Sequence, residues 1–157
     1  MCMRSDPFGS REWRRQMPPM PTAGDASYGQ LGDGQGNGDF GSLSSNVPVE
    51  VAGGRSFATG CTGQYHSCAL EPSGQAWCWG RGSGGQLGAG VNAVKEIVLA
   101  PVAVAGGHAF RSITCGDWHT CALDGQGRAW CWGRSRWCGG YLAPSMARAA
   151  DIKTCML

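Results

Sequence analysis

The sequence predicts an all-β fold: a partial β-propeller of two four-stranded blades with irregular N- and C-terminal tails. Three observations point there. The segment GQYHSCALEPSGQAWCWG from Gly63 recurs from Gly116 as GDWHTCALDGQGRAWCWG, so that His66, Cys68, Ala69, Leu70, Ala76, Cys78, Trp79 and Gly80 each find a match 53 residues on. A unit of roughly fifty residues holding about four strand-like pieces has the length of one propeller blade. With 27 Gly and 8 Pro among 157 residues, the chain turns often and cannot hold long helices.

The organisation follows from the offsets. Ala52, Gly53, Gly54 and Phe57 map onto Ala105, Gly106, Gly107 and Phe110, while YGQLGDG from Tyr28 answers GGQLGAG from Gly84 with a shift of 56. The segments expected are a disordered leader over 1–27, a first repeat over 28–80, a second over 81–133, and a degenerate third repeat or tail over 134–157. Within each unit, 47–51 and 101–104 read as a first strand, 57–61 and 110–115 as a second, and 66–70 with 76–79 as a closing hairpin.

The register of that hairpin follows from its turn. Between Leu70 and Ala76, Pro72 suits the first central position of a type I turn and Gly74 the left-handed position after it. Glu71 then faces Gln75, and Cys68 falls directly across from Cys78. In the second unit the same reasoning sets Cys121 across from Cys131. Directly opposed residues of antiparallel strands lie within disulfide range, so each pair is either bridged or a pair of buried thiols. An oxidising compartment favours the bridge and a cytosolic or nuclear one the thiols, which leaves localisation open. His66, Cys68, Leu70, Ala76 and Cys78 share one face of the hairpin, and Ala69, Trp77 and Trp79 the other. Both faces are apolar, so each needs a neighbouring blade to cover it.

The ordered blocks GQLG, AGG, HxCAL, turn and AWCWG resemble the repeat of the RCC1 (regulator of chromosome condensation) superfamily in a Cys-rich variant, over residues 28–133. That resemblance implies a propeller, usually of seven blades with four antiparallel strands each. This chain shows two units. Two blades cannot close a ring and would expose sheet edges. A gene fragment of a larger propeller is the favoured explanation, ahead of a homo-oligomer that completes the ring and of a poorly ordered product.

Other chemistry is weaker. Cys61, His66, Cys68 and Cys78, and in the second unit Cys115, His119, Cys121 and Cys131, carry soft ligands, but the six and nine residues between the cysteines of the first unit are unlike the short Cys steps of zinc sites. No metal or other cofactor is expected. A thiol and imidazole at Cys121 and His119 lack an orienting group common to both units, because Asp117 is replaced by Gln64, so no catalytic residue is assigned. His66, His119, Trp79, Trp132, Gly80 and Gly133 are read as structural. The QLG and AGG glycines lack the helix and Lys of a phosphate loop. Net charge is +2, with a net of −2 across 28–133 between basic ends, which is no nucleic-acid surface. No apolar run of roughly 18 residues is available to span a membrane.

The function expected is therefore a non-catalytic protein-interaction scaffold, contacting its partner through the variable loops at 34–46 and 90–99. Two alternatives follow from the resemblance: a guanine-nucleotide exchange factor for a small GTPase, or a regulatory module of a larger enzyme such as a ubiquitin ligase, although no HECT-type or kinase-type block is present in the sequence.

Overall fold

The computed structural model describes residues 21–35, 44–90 and 96–134, with the backbone of 141–142. Among them every regular element is a strand. These are β1 (Pro21–Gly24), β2 (Ser45–Glu50), β3 (Thr59–Thr62), β4 (His66–Leu70), β5 (Ala76–Arg81), β6 (Ile97–Ala103), β7 (Phe110–Cys115), β8 (His119–Asp124), β9 (Ala129–Arg134) and β10 (Tyr141–Leu142). They form a two-stranded ladder β1-β2 and two four-stranded sheets, β3-β4-β5-β6 and β7-β8-β9-β10, with every pairing antiparallel.

The hairpins close as their turns dictate. Glu71 N–H donates to Gln75 O and Gly74 N–H to Glu71 O, with Gly74 at φ 88°. In the second copy Asp124 N–H donates to Arg128 O and Gly127 N–H to Asp124 O, with Gly127 at φ 78°. Only a residue without Cβ adopts these angles cheaply. The resulting register sets Cys68 opposite Cys78 and Cys121 opposite Cys131.

The leading strand of each sequence unit, however, does not join the sheet of that unit. β6, expected to open the second blade, pairs with β5 and completes the first. β2 likewise pairs with β1, so Pro21–Gly24, expected within a disordered leader, is a strand. The offset of 56 explains this, because it places Gly24 on Gly80 and hence β1 where β5 lies in the next unit. A blade is thus three strands of one unit closed by the first strand of the next. Residues 1–20, and all of the expected tail beyond Arg134 except 141–142, lie outside the described residues.

The core lies between the blades. Cys68, Leu70, Ala76 and Cys78 on one face of the first blade pack with Phe110, Ala122 and Trp132 of the second, joined by Leu87, Val98 and Val104. On the opposite face of the first blade, Ala69 and Trp79 pack with Val51 and Phe57. Burying a large side chain in this way contributes roughly 1.5–3 kcal/mol, and here indoles carry much of what aliphatics usually supply.

Candidate functional site

Each GQLG motif anchors its blade through one backbone carbonyl. Gln30 O accepts from Ser67 Oγ at 2.9 Å and from Trp79 Nε1 at 2.8 Å. Gln86 O accepts from Thr120 Oγ1 at 3.0 Å and from Trp132 Nε1 at 2.9 Å. Both indoles are buried, so their N–H groups need these partners. The motif's final glycine lies flat against the ring: a Cβ on Gly32 would come within 2.5 Å of Trp79 Nε1, and one on Gly88 within 2.8 Å of Trp132 Nε1. Gly80 and Gly133, which end AWCWG, have φ of 100° and 111°, and a Cβ there would meet the carbonyls of Tyr65 and Trp118 at 2.6 Å.

The two blades are joined at His66. Its Nε2 lies 2.8 Å from Thr120 Oγ1, whose own proton goes to Gln86 O, so the imidazole donates. The structural role expected of His66 is thus a contact with a hydroxyl of the neighbouring blade. Burial, with a smaller contribution from nearby His119, lowers the His66 pKa from 6.5 to about 4, and the neutral ring keeps a buried, unpartnered Nδ1. His119 is half-buried on the far face of the second blade.

The cysteines sit around the same seam. Cys61, Cys68 and Cys78 form one row across β3, β4 and β5. The structure joins Cys68 to Cys78 and Cys121 to Cys131, each pair with Cα atoms 4.1 Å apart, and joins Cys61 to Cys115 across the blades with Cα atoms 5.5 Å apart. Cys115 does not occupy the place expected for it in the second unit. Cys61 maps onto Thr114 at an offset of 53, and Thr114 is the residue opposite Cys121. One residue further along a strand, Cys115 points to the other face, towards the first blade. The second set of four ligands is therefore split, while the first gains a sulfur. The separation of 54, one residue more than the repeat offset of 53, was the signal in the sequence.

A second feature escaped the sequence reading. Tyr28, Tyr65 and Trp118 form a half-exposed ridge, with ring centroids 4.8 Å and 4.9 Å apart in succession. The Arg81 guanidinium lies 5.0 Å from the Tyr28 and Trp118 rings and 5.7 Å from Tyr65, and Arg134 lies 5.8 Å from Trp118. Tyr65 and Trp118, like Arg81 and Arg134, are 53 residues apart, so the ridge repeats with the blades. Backbone bonds fix it: Arg81 N–H donates to Tyr65 O, and Arg134 N–H to Trp118 O. The variable loops expected to make the contact lie partly outside the described residues, at 36–43 and 91–95.

The turn acids differ between the copies. Glu71 pairs with Arg55, whose guanidinium stacks 3.4 Å from the Trp77 ring centroid. Asp124 instead accepts from Trp130 Nε1, Arg128 Nε and the amides of Gln126 and Arg128. Burial alone would raise its carboxyl pKa, but these donors outweigh it and hold the group well below the usual carboxylate range.

Comparison with known proteins matches this architecture. The profile for the regulator of chromosome condensation (RCC1) repeat matches residues 73–123, and a second profile of the same description matches 57–86 and 110–139. The Ultraviolet-B receptor UVR8 of Arabidopsis thaliana is 31% identical over 112 residues, covering 70% of this chain and 25% of the relative. The mitochondrial RCC1 domain-containing protein RUG3, from the same plant, is 32% identical over 131 residues, covering 83% and 28%. This chain spans about a quarter of the length of these curated relatives. Human WBSCR16 superposes with a TM-score of 0.63 at 24% identity, over 78% of this chain and 31% of that one. Yeast RCC1 (Prp20), solved with Kap60, superposes at 0.60 and 21% identity, over 72% and 27%. With the repeat profiles, the blade geometry and these relatives in agreement, the chain belongs to the RCC1-repeat family of β-propeller proteins.

Proposed function

We propose that this chain is a non-catalytic protein-interaction scaffold whose contact surface is the ridge of Tyr28, Tyr65 and Trp118 with Arg81 and Arg134. The observation that carries the reading is composition held on a rigid frame. Tyr, Trp and Arg are the residues that dominate binding energy at protein interfaces, and here the three rings stand half-exposed and packed edge to face, on turns tied to the blades. The test compares proteins captured by the wild-type chain and by a Tyr65→Ala/Trp118→Ala variant, with exposed Val47→Ser as control. A partner held by wild type and control and lost by the ridge variant supports the reading; equal capture by all three removes it.

A second reading is a guanine-nucleotide exchange factor for a small GTPase. It is favoured by a structural neighbour, yeast Prp20p, whose study describes binding to Gsp1p and histones. Likeness at 20% identity carries fold and not activity. Nucleotide release from candidate GTPases tests it, and no acceleration at high concentration of this chain discards it. A regulatory module of a larger enzyme is the third form, supported by relatives such as Probable E3 ubiquitin-protein ligase HERC4 of Mus musculus, 32% identical over 74 residues. Binding of this chain to the isolated catalytic part of such a ligase tests that form, and no binding discards it.

A further inference from the structure

Five soft ligands meet where the two blades touch. A ring nitrogen of His66 and the sulfurs of Cys68 and Cys115 all lie within 4.8 Å of one another. Cys61 is bonded to Cys115 and Cys78 to Cys68, so both remaining sulfurs are one bond from that triad. A tetrahedral zinc centre with Zn–S bonds of about 2.3 Å spaces its sulfurs roughly 3.8 Å apart, inside the 4.8 Å that contains the triad. His66 also has the surroundings of a metal-bound imidazole. One ring N–H is fixed by the Thr120 hydroxyl, itself tied to Gln86 O, and the lone pair on the other nitrogen is buried without a protein partner.

We propose that the reduced chain holds one soft divalent cation of the zinc class at Cys61, Cys68, Cys115 and His66, in a site assembled from both blades. Cys61 completes the tetrahedron because β3 faces β7 and its half-buried sulfur adjoins that of Cys115, giving an ion a way in; Cys78, fully buried behind Cys68, stays a thiol. A dithiol reductant opens each disulfide, supplying two electrons and two protons and becoming a disulfide itself. Metal binding then displaces the protons of the three ligating thiols. The same sulfurs thus clamp the blades covalently under oxidising conditions and through a metal under reducing ones.

The test uses the full chain, reduced anaerobically and titrated with Co(II). The expected result is one equivalent of tetrahedral cobalt with thiolate charge-transfer absorption, displaced by Zn(II), lost in Cys115→Ser and retained in Cys78→Ser and Cys121→Ser. Alkylation mapping of the wild type gives a readout without variants: Zn(II) shields Cys61, Cys68 and Cys115 while Cys121 and Cys131 react. No tetrahedral cobalt in the reduced chain overturns the proposal. So does absorption that survives Cys115→Ser, that persists in denaturant, or that comes with equal shielding of every cysteine.

Discussion

The first blade buries both of its faces and the second buries one. His66, Cys68, Leu70 and Ala76 are at most 2% exposed, sealed by Phe110, Ala122 and Trp132 of the next blade. Their counterparts His119, Cys121, Leu123 and Ala129 carry nearly the same sequence in the same register, yet are half-buried. Trp79 and Trp132, on the opposite faces, are buried alike, since each has cover on its own side. Burial in a repeat protein therefore belongs to the neighbour and not to the motif. A blade's energy is largely a nearest-neighbour term, and the motif prepares a surface that the next unit completes.

That comparison is easiest to challenge with matched substitutions. Trp79→Ala and Trp132→Ala should each cost about 3–5 kcal/mol by chemical denaturation, and similar losses are expected because both indoles fill covered faces and donate to a Gln carbonyl. A large difference between them would break the equivalence of the covered sides. On the other faces the pair should diverge: Leu70→Ala is expected to cost roughly 2–5 kcal/mol and Leu123→Ala about 1 kcal/mol or less. Equal losses would mean that something covers the second blade's far face.

Gly88→Ala sharpens the account of the motif. The added methyl would press on the Trp132 ring at a backbone φ of 64°, so a loss of about 1–3 kcal/mol is expected, visible as a lower Tm. The remaining effect is a pH dependence. His66 titrates near 6.5 when unfolded and about 4 when folded, so the unfolded chain binds its proton first. Stability is then whole well above pH 6.5 and declines as pH falls towards 4, by about 1–2 kcal/mol at about pH 5.5. His66→Gln should remove that slope from the pH series of unfolding midpoints, and an unchanged slope would show that His66 does not titrate inside the seam.

Much of this architecture was legible in the sequence, for identifiable reasons. The hairpin register could be computed because Gly74 and Gly127 confine the turn, and a two-residue side-chain period then carries the pairing to Cys68 and Cys78. Membership of the closing strand could not, because 15 residues separate Arg81 from Ile97 and nothing local says which sheet the next strand joins. The sulfur of Cys115 was misplaced by a single residue, which on a strand reverses the face. The ridge went unread because aromatic and Arg residues at turns look like surface until the repeat offset is applied to Tyr65 and Arg81. What the motifs encode is local, and what was missed is where one unit meets the next.

The two repeats lie face to face as adjoining blades, with the Cys68 side of the first against the Trp132 side of the second. Mild oxidation of the reduced chain, followed by peptide mapping without reductant, tests this most directly. The expected result is a Cys61–Cys115 crosslinked peptide alongside Cys68–Cys78 and Cys121–Cys131. Cys115 linked to Cys121 or Cys131, with Cys61 never joined to the second repeat, would contradict it.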